Sequence, residues 1–126
     1  MSILIDTSVL IDHLRGQDAA RNAMSAAVRS GERLIGSVLT KTEIIAGMRS
    51  NETLTTQRLL SVLHWVPVDE GLAERAGHFA NQYLTSHPGI DPVDYVIAAT
   101  VEREQATLWT RNVKHFPMFP GLAAPY

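Results

Sequence analysis

SILIDTSVLIDHLRG, residues 2–16, decides how the chain is to be folded. Ser2–Ile5 is short and apolar without alternation, the pattern of a strand covered on both faces in a parallel sheet. Asp6 ends the run, and Asp6, Thr7 and Ser8 carry N-cap chemistry for a helix through Leu14 that stops near Gly16. A strand that feeds a helix through one acidic residue is a building unit of α/β sheets.

The same alternation continues outward from that stretch. Asp18 is placed to cap AARNAMSAAVRS, with Gly31 just past its end, so the first two helices form a hairpin. Residues 33–37, RLIGS, read as a second strand, after which Thr40 opens the helix TKTEIIAGM and LTTQRLLSVL supplies another. Trp65–Val68 is a third strand, and Pro67 argues for a sheet edge. Asp69 caps a long helix in which Leu72, Ala76, Phe79, Ala80 and Tyr83 recur at helical spacing. SHPG, residues 86–89, breaks the chain before DPVDYVIAAT begins a further helix, and Ala106–Thr110 is a last short strand. From Arg111 onward the chain holds three of its six prolines and reads mostly as loop. The expected fold is a single α/β domain over residues 1–126, a three-layer α/β/α sandwich. Its sheet is mainly parallel, with four to five short strands.

Composition narrows the function. The 126 residues are 45% hydrophobic and 19% charged, an ordinary globular balance. A formal net charge of -2 announces no basic field for nucleic acid, although 11 Lys and Arg can still collect on one face. The absence of cysteine removes disulfides, thiolate zinc sites and Cys nucleophiles and suits a reducing cytosol. The start has no basic n-region, and no apolar run approaches the ~20 residues of a membrane span, so a cytoplasmic protein without a membrane partner is expected. None of the five histidines forms an HxxxH pair. His115 lies near where a pocket at the end of the last strand would be but reads as a loop residue rather than a general acid, and Trp65 and Trp109 read as core.

Three acids fall at related places. In DPVD, Asp91 is the N-cap, Pro92 takes N1 and Asp94 falls at N3. In TKTE, Thr40 as N-cap puts Glu43 at N3 as well, and Asp6 stands where the first strand meets its helix. Ligands of parallel α/β sheets collect at the carboxyl ends of strands, which would bring Asp6, Glu43 and Asp94 to one edge. Carboxylates gathered there repel unless a cation lies between them, and oxygen ligands suit Mg²⁺ or Mn²⁺. Capping explains any one of these acids by itself, so on spacing alone both readings stay open.

Three ordered segments carry a resemblance: ILIDTSVLIDHLRG at 3–16, LTKTEIIAGM at 39–48, and DYVIAATVEREQATLWTRNVKHF at 94–116. Together, and over nearly the whole length, the chain resembles PIN-domain ribonucleases of the VapC toxin type. The resemblance implies a metal-dependent endoribonuclease, the toxin of a toxin–antitoxin pair, with an acidic pocket that binds Mg²⁺ or Mn²⁺ and hydrolyses RNA phosphodiesters. By position, Asp6, Glu43 and Asp94 match three of its four acids, as catalytic and metal-binding residues. The fourth position is Asn112, which can ligate through its amide oxygen but brings no charge. Asp91 could replace that charge only by leaving its cap. Ser8 and Thr110 lie beside matched positions as hydroxyl support, whereas Thr7 reads as a cap. Arg111 and Lys114 follow the last strand and, with Arg15, Lys41 and Arg49, are candidates for gripping RNA phosphates. A cognate antitoxin and a homodimer are implied as partners. The antitoxin would lie in a groove beside the pocket, walled by the helical hairpin and TKTEIIAGM.

Two other readings compete. Asn112 also suits a non-catalytic PIN-like module that binds RNA or protein. An α/β phosphotransferase or phosphatase is the other, but the phosphatase motif needs a second Asp where Ser8 stands. No Walker loop, GxGxxG or GxSxG occurs.

Overall fold

The computed structural model describes all 126 residues. Four strands, β1 (Ser2–Ile5), β2 (Arg33–Ser37), β3 (His64–Val66) and β4 (Thr107–Trp109), form one sheet in the order β3-β2-β1-β4, with every neighbouring pair parallel. Six helices connect them: α1 (Thr7–Leu14), α2 (Asp18–Arg29), α3 (Val38–Ala46), α4 (Thr53–Leu60), α5 (Glu70–Tyr83) and α6 (Pro92–Glu104). The expected three-layer sandwich is present, with four strands.

Each strand divides its side chains between two cores, as a period of two requires. Ile3, Ile5 and Leu34 pack under α1–α4 with Val9, Leu10, Met24, Ile44 and Leu59. Leu4, Ile35, Val66 and Leu108 face the opposite way, onto Leu72, Ala76 and Phe79 of α5 and Tyr95, Ile97 and Ala98 of α6. The unbroken apolar run Ile3-Leu4-Ile5 is therefore needed by both layers at once. Gly36 in β2 marks a close approach: a Cβ there would stand 2.7 Å from Trp65 Cζ3.

Several boundaries differ from expectation. The third strand is His64–Val66, so Pro67 lies just past it, and β3 pairs only with β2 at the sheet edge. The helix expected to open at Thr40 begins at Val38 instead. Ser37 closes β2 and also caps α3, its Oγ accepting the Leu39 N–H at 3.2 Å. Thr40 is consequently buried inside the helix and caps nothing, and Glu43 is the sixth residue of α3 rather than its N3. The second helix takes Gln17 as its N-cap residue, with Asp18 already helical. Asp69 caps α5 as read, its Oδ1 accepting the Leu72 N–H at 2.9 Å. Gly16, at φ +81, supplies the left-handed turn that separates α1 from α2.

The order β3-β2-β1-β4 has a functional consequence. From β1 the chain builds outward through β2 to β3, then returns to place β4 on the other flank of β1. The connections reverse between β1 and β4, and the crevice outside their carboxyl ends is the switch point where α/β sheets hold ligands. Asp6 follows β1 there, and Thr110 follows β4. The Asp6 N–H donates to the Trp109 carbonyl at 2.9 Å, which stitches the two ends together.

Candidate active site at the carboxyl edge of the sheet

Asp6 occupies the N-cap position of α1 with extended backbone, yet its side chain caps nothing. The carboxylate is 5% exposed and accepts from two hydroxyls instead, Thr110 Oγ1 at 2.7 Å and Ser8 Oγ at 3.2 Å. Both reach Oδ2, which leaves Oδ1 without a protein donor. Ser8 Oγ also accepts the Arg111 N–H at 3.0 Å, and Thr110 Oγ1 accepts the Asn112 N–H at 3.0 Å. These bonds fix Asp6 from α1 and from the chain leaving β4 together.

Asp94 lies in the first turn of α6. Asp91 caps that helix, its Oδ1 accepting the Asp94 N–H at 3.2 Å, with Pro92 at the first helical position. The cap holds the Asp94 backbone and leaves its carboxylate free. That carboxyl is pushed up to about 6, first by burial and then by the negative charges of Asp91 and Asp6, while His115 pulls the other way. Asp6 and Asp94 thus crowd like charges into one half-closed space, where a cation would relieve both.

Glu43 is placed differently. It is exposed on α3, and its Oε1 accepts the Thr7 hydroxyl at 2.8 Å. The buried Thr40 hydroxyl lies 3.2 Å from Thr7 Oγ1. Thr7, expected as a cap, therefore ties α1 to α3 at Glu43. Asn112 starts the 3₁₀ turn Val113–His115, and its side chain is exposed and makes no hydrogen bond.

The basic candidates separate into groups. Arg15 and Arg49 line a groove of about 310 Å³ with Glu43, Ile11, Leu14 and Met48, and Arg49 pairs with Glu52 at 3.8 Å. Lys41 Nζ lies 5.5 Å from the Trp65 ring centre. Arg111 is neutralised by Asp12 at 3.2 Å and stacks 4.8 Å from the Tyr126 ring centre. Lys114 is exposed and makes no ion pair.

Sequence reasoning assigned no role to three residues of this neighbourhood. Asp12 binds Arg111 and also accepts the Tyr126 hydroxyl at 2.6 Å; burial and that bond push the phenol up to about 12. Its spacing of four from Ser8 was a usable signal, since both fall on one helix face. Tyr126 itself carried none. His115 Nδ1 lies 3.0 Å from Asp94 Oδ2, and a three-residue turn offers no periodicity from which that could be read.

The donors offered here are oxygens, as hard cations require. No three His, Asp or Glu side chains stand together as a ready cage. Mg²⁺ is commonly held by one or two carboxylates and otherwise by water, and the Asp6–Asp94 pair meets that need. The residues present fit such an ion.

Sequence and fold comparisons agree on the family. The PIN domain family model matches residues 3–117. The chain belongs to the PIN-domain family. This PIN domain is 44% identical to Ribonuclease VapC19 of Mycobacterium tuberculosis strain H37Rv, over 98% of this chain and 98% of the relative. It is likewise 44% identical to Ribonuclease VapC10 of the same strain, over 98% of this chain and 92% of that one. Among solved structures it is similar to a toxin–antitoxin complex from Klebsiella pneumoniae, with a TM-score of 0.81 at 27% identity over 98% of each chain. No helix of this PIN domain is long and apolar enough to cross a membrane.

Proposed function

We propose that residues 1–126 act as one PIN-domain endoribonuclease, the toxin of a toxin–antitoxin pair, working in the cytoplasm with Mg²⁺ or Mn²⁺. The observation that carries this reading is the buried Asp6 carboxylate. It gives up its cap and is held by Ser8 and Thr110 beside the crowded Asp94. The similarity to VapC ribonucleases supports the choice of RNA as substrate.

Asp6 and Asp94 would hold the ion, and Glu43 and Asn112 would complete the set through water. When bound, the ion neutralises charge building on the scissile phosphodiester and makes water a competent nucleophile. Ser8 and Thr110 hold the Asp6 carboxylate in place at the end of β1, and the Asp91 cap sets the first turn from which Asp94 projects. Of the two basic residues that follow β4, Lys114 is the better placed to take an RNA phosphate, because its charge is unpaired, whereas that of Arg111 is balanced by Asp12. Arg15 at the end of α1, Lys41 on α3 and Arg49 after it would add further phosphate contacts. The groove between Arg15, Glu43 and Arg49 suits an antitoxin segment, and pairing of two PIN domains completes the assembly.

Inducible expression of wild type against Asp6→Asn, with growth and RNA 5′ ends followed, tests the proposal. Wild type should arrest growth and produce new ends, and Asp6→Asn should do neither. In vitro, EDTA should stop cleavage and Mn²⁺ restore it. Equal growth arrest by a folded Asp6→Asn protein would overturn the nuclease reading.

A further inference from the structure

His115 ends the 3₁₀ turn that follows β4, and its Nδ1 lies 3.0 Å from Asp94 Oδ2, on α6. No other side chain donates to that carboxylate, because the Asp91 cap reaches the Asp94 backbone and not its oxygens. The two residues sit at different depths, with 13% of the Asp94 side chain exposed and 42% of His115. His115 thus closes over Asp94 from the solvent side. A carboxylate facing like charges on Asp6 and Asp91 would swing about χ2 away from them unless something held it, and His115 supplies the one restraint.

We propose that His115 is a positioning residue whose Nδ1–H fixes Asp94 Oδ2, so that Oδ1 is the oxygen presented to a divalent cation shared with Asp6. The inference rests on the metal-dependent reading above. An ionised Asp94 can only accept, so Nδ1 is the nitrogen that carries the proton between them. Groups that orient a metal ligand in this way matter to affinity nearly as much as the ligand. The bond also couples the turn after β4 to the start of α6, so the same contact aligns the two walls of the crevice.

Calorimetric titration of the purified full chain with Mn²⁺, run on wild type, His115→Ala, His115→Asn and His115→Gln, tests this. His115→Ala should weaken Mn²⁺ binding by roughly 10–100-fold, while His115→Asn, whose amide nitrogen falls where Nδ1 stands, should stay within about threefold. His115→Gln, whose amide reaches toward the place of Nε2, should bind as poorly as His115→Ala. In RNA cleavage at one fixed Mn²⁺ concentration, kcat should fall for His115→Ala with KM for RNA unchanged. Far-UV circular dichroism in EDTA should show all four proteins folded under the conditions of the titration. Wild-type Mn²⁺ affinity in a folded His115→Ala protein, or rescue by Gln and not by Asn, would overturn the positioning role and leave the metal reading standing. A wild type that binds no Mn²⁺ at millimolar concentration would overturn both.

Discussion

Replacing Asp94 by asparagine in the metal-free protein keeps the shape of the side chain and removes its charge. In the fold the Asp94 carboxyl is pushed from its ordinary 3.8 up to about 6, by burial, then by Asp91 and Asp6. At ~1.4 kcal/mol per pH unit the full gap would be about 3 kcal/mol, and screening by the water that still reaches the carboxyl brings the cost of the ionised form nearer about 2 kcal/mol. Because the folded value lies above the unfolded one, the native state binds the extra proton between them. The contribution of Asp94 is therefore most favourable below about pH 4, declines as pH rises to about 6, and stays flat beyond. The favourable bond from His115 is already contained in that net value. The amide introduced by Asp94→Asn cannot ionise, so the variant should lack this decline. Urea unfolding in EDTA between pH 4.5 and 7.5 gives the difference between the two proteins directly. It should be small at the acid end and grow to roughly 2 kcal/mol in favour of Asp94→Asn at pH 7.5. Mn²⁺ should reverse the order at about a thousand times its Kd, where it adds ~4.1 kcal/mol to wild type and little to the variant. Stability curves that run parallel across this range in EDTA, or a variant less stable than wild type at pH 7.5, would refute the reasoning.

Asp91→Asn keeps a side chain that caps almost as well and removes the largest like charge acting on Asp94; cleavage should stay within about tenfold of wild type, and the pH-linked decline should move to lower pH in the same melts. Thr110→Val deletes the 2.7 Å bond to buried Asp6 and should lower the urea-derived stability by about 1–3 kcal/mol with a loss of Mn²⁺ affinity, whereas Thr110→Ser should preserve both. Gly36→Ala forces a Cβ against the Trp65 ring and should cost about 1–3 kcal/mol, largely recovered by adding Trp65→Leu. Spectrophotometric titration should show a tyrosine ionising near pH 12, and Tyr126→Phe should remove that step.

What the sequence disclosed was local, and what it withheld depended on tertiary contact. Ile3-Leu4-Ile5 showed its two-sided burial because a strand covered by helices on both faces needs apolar residues at every position. Asp69 and Asp91 were readable as caps because each bonds a backbone N–H three residues on, within its own turn. The start of α3 was misread for a physical reason as well. Ser37 can close a strand and cap a helix at once, so no loop separates β2 from α3, and Thr40 lost the cap to an earlier competitor. With that shift the expected equivalence of Glu43 and Asp94 dissolves: one lies in the second turn of its helix, the other in the first. Thr7 reaching Glu43, and Tyr126 reaching Asp12, join residues 36 and 114 positions apart, and no spacing rule spans such distances.

The two aspartates that sit at helix N-caps beside the site show how one position can serve different ends. Asp91 makes its cap bond, lies exposed, and directs Asp94. Asp6 has the extended backbone of a cap residue but forgoes a bond typically worth about 1 kcal/mol, and its carboxylate is buried as well. Two hydroxyls, from Ser8 and Thr110, partly offset that burial, and both attach to the same oxygen. A side chain retained only to start α1 would satisfy the Ser8 or Val9 N–H with that carboxylate. Its being turned from the helix N–H groups to hydroxyls of α1 and of the chain after β4, at the point where the strand order reverses, is the arrangement expected of a ligand-binding group. The local geometry of Asp6 therefore argues for chemistry at this edge independently of any relative.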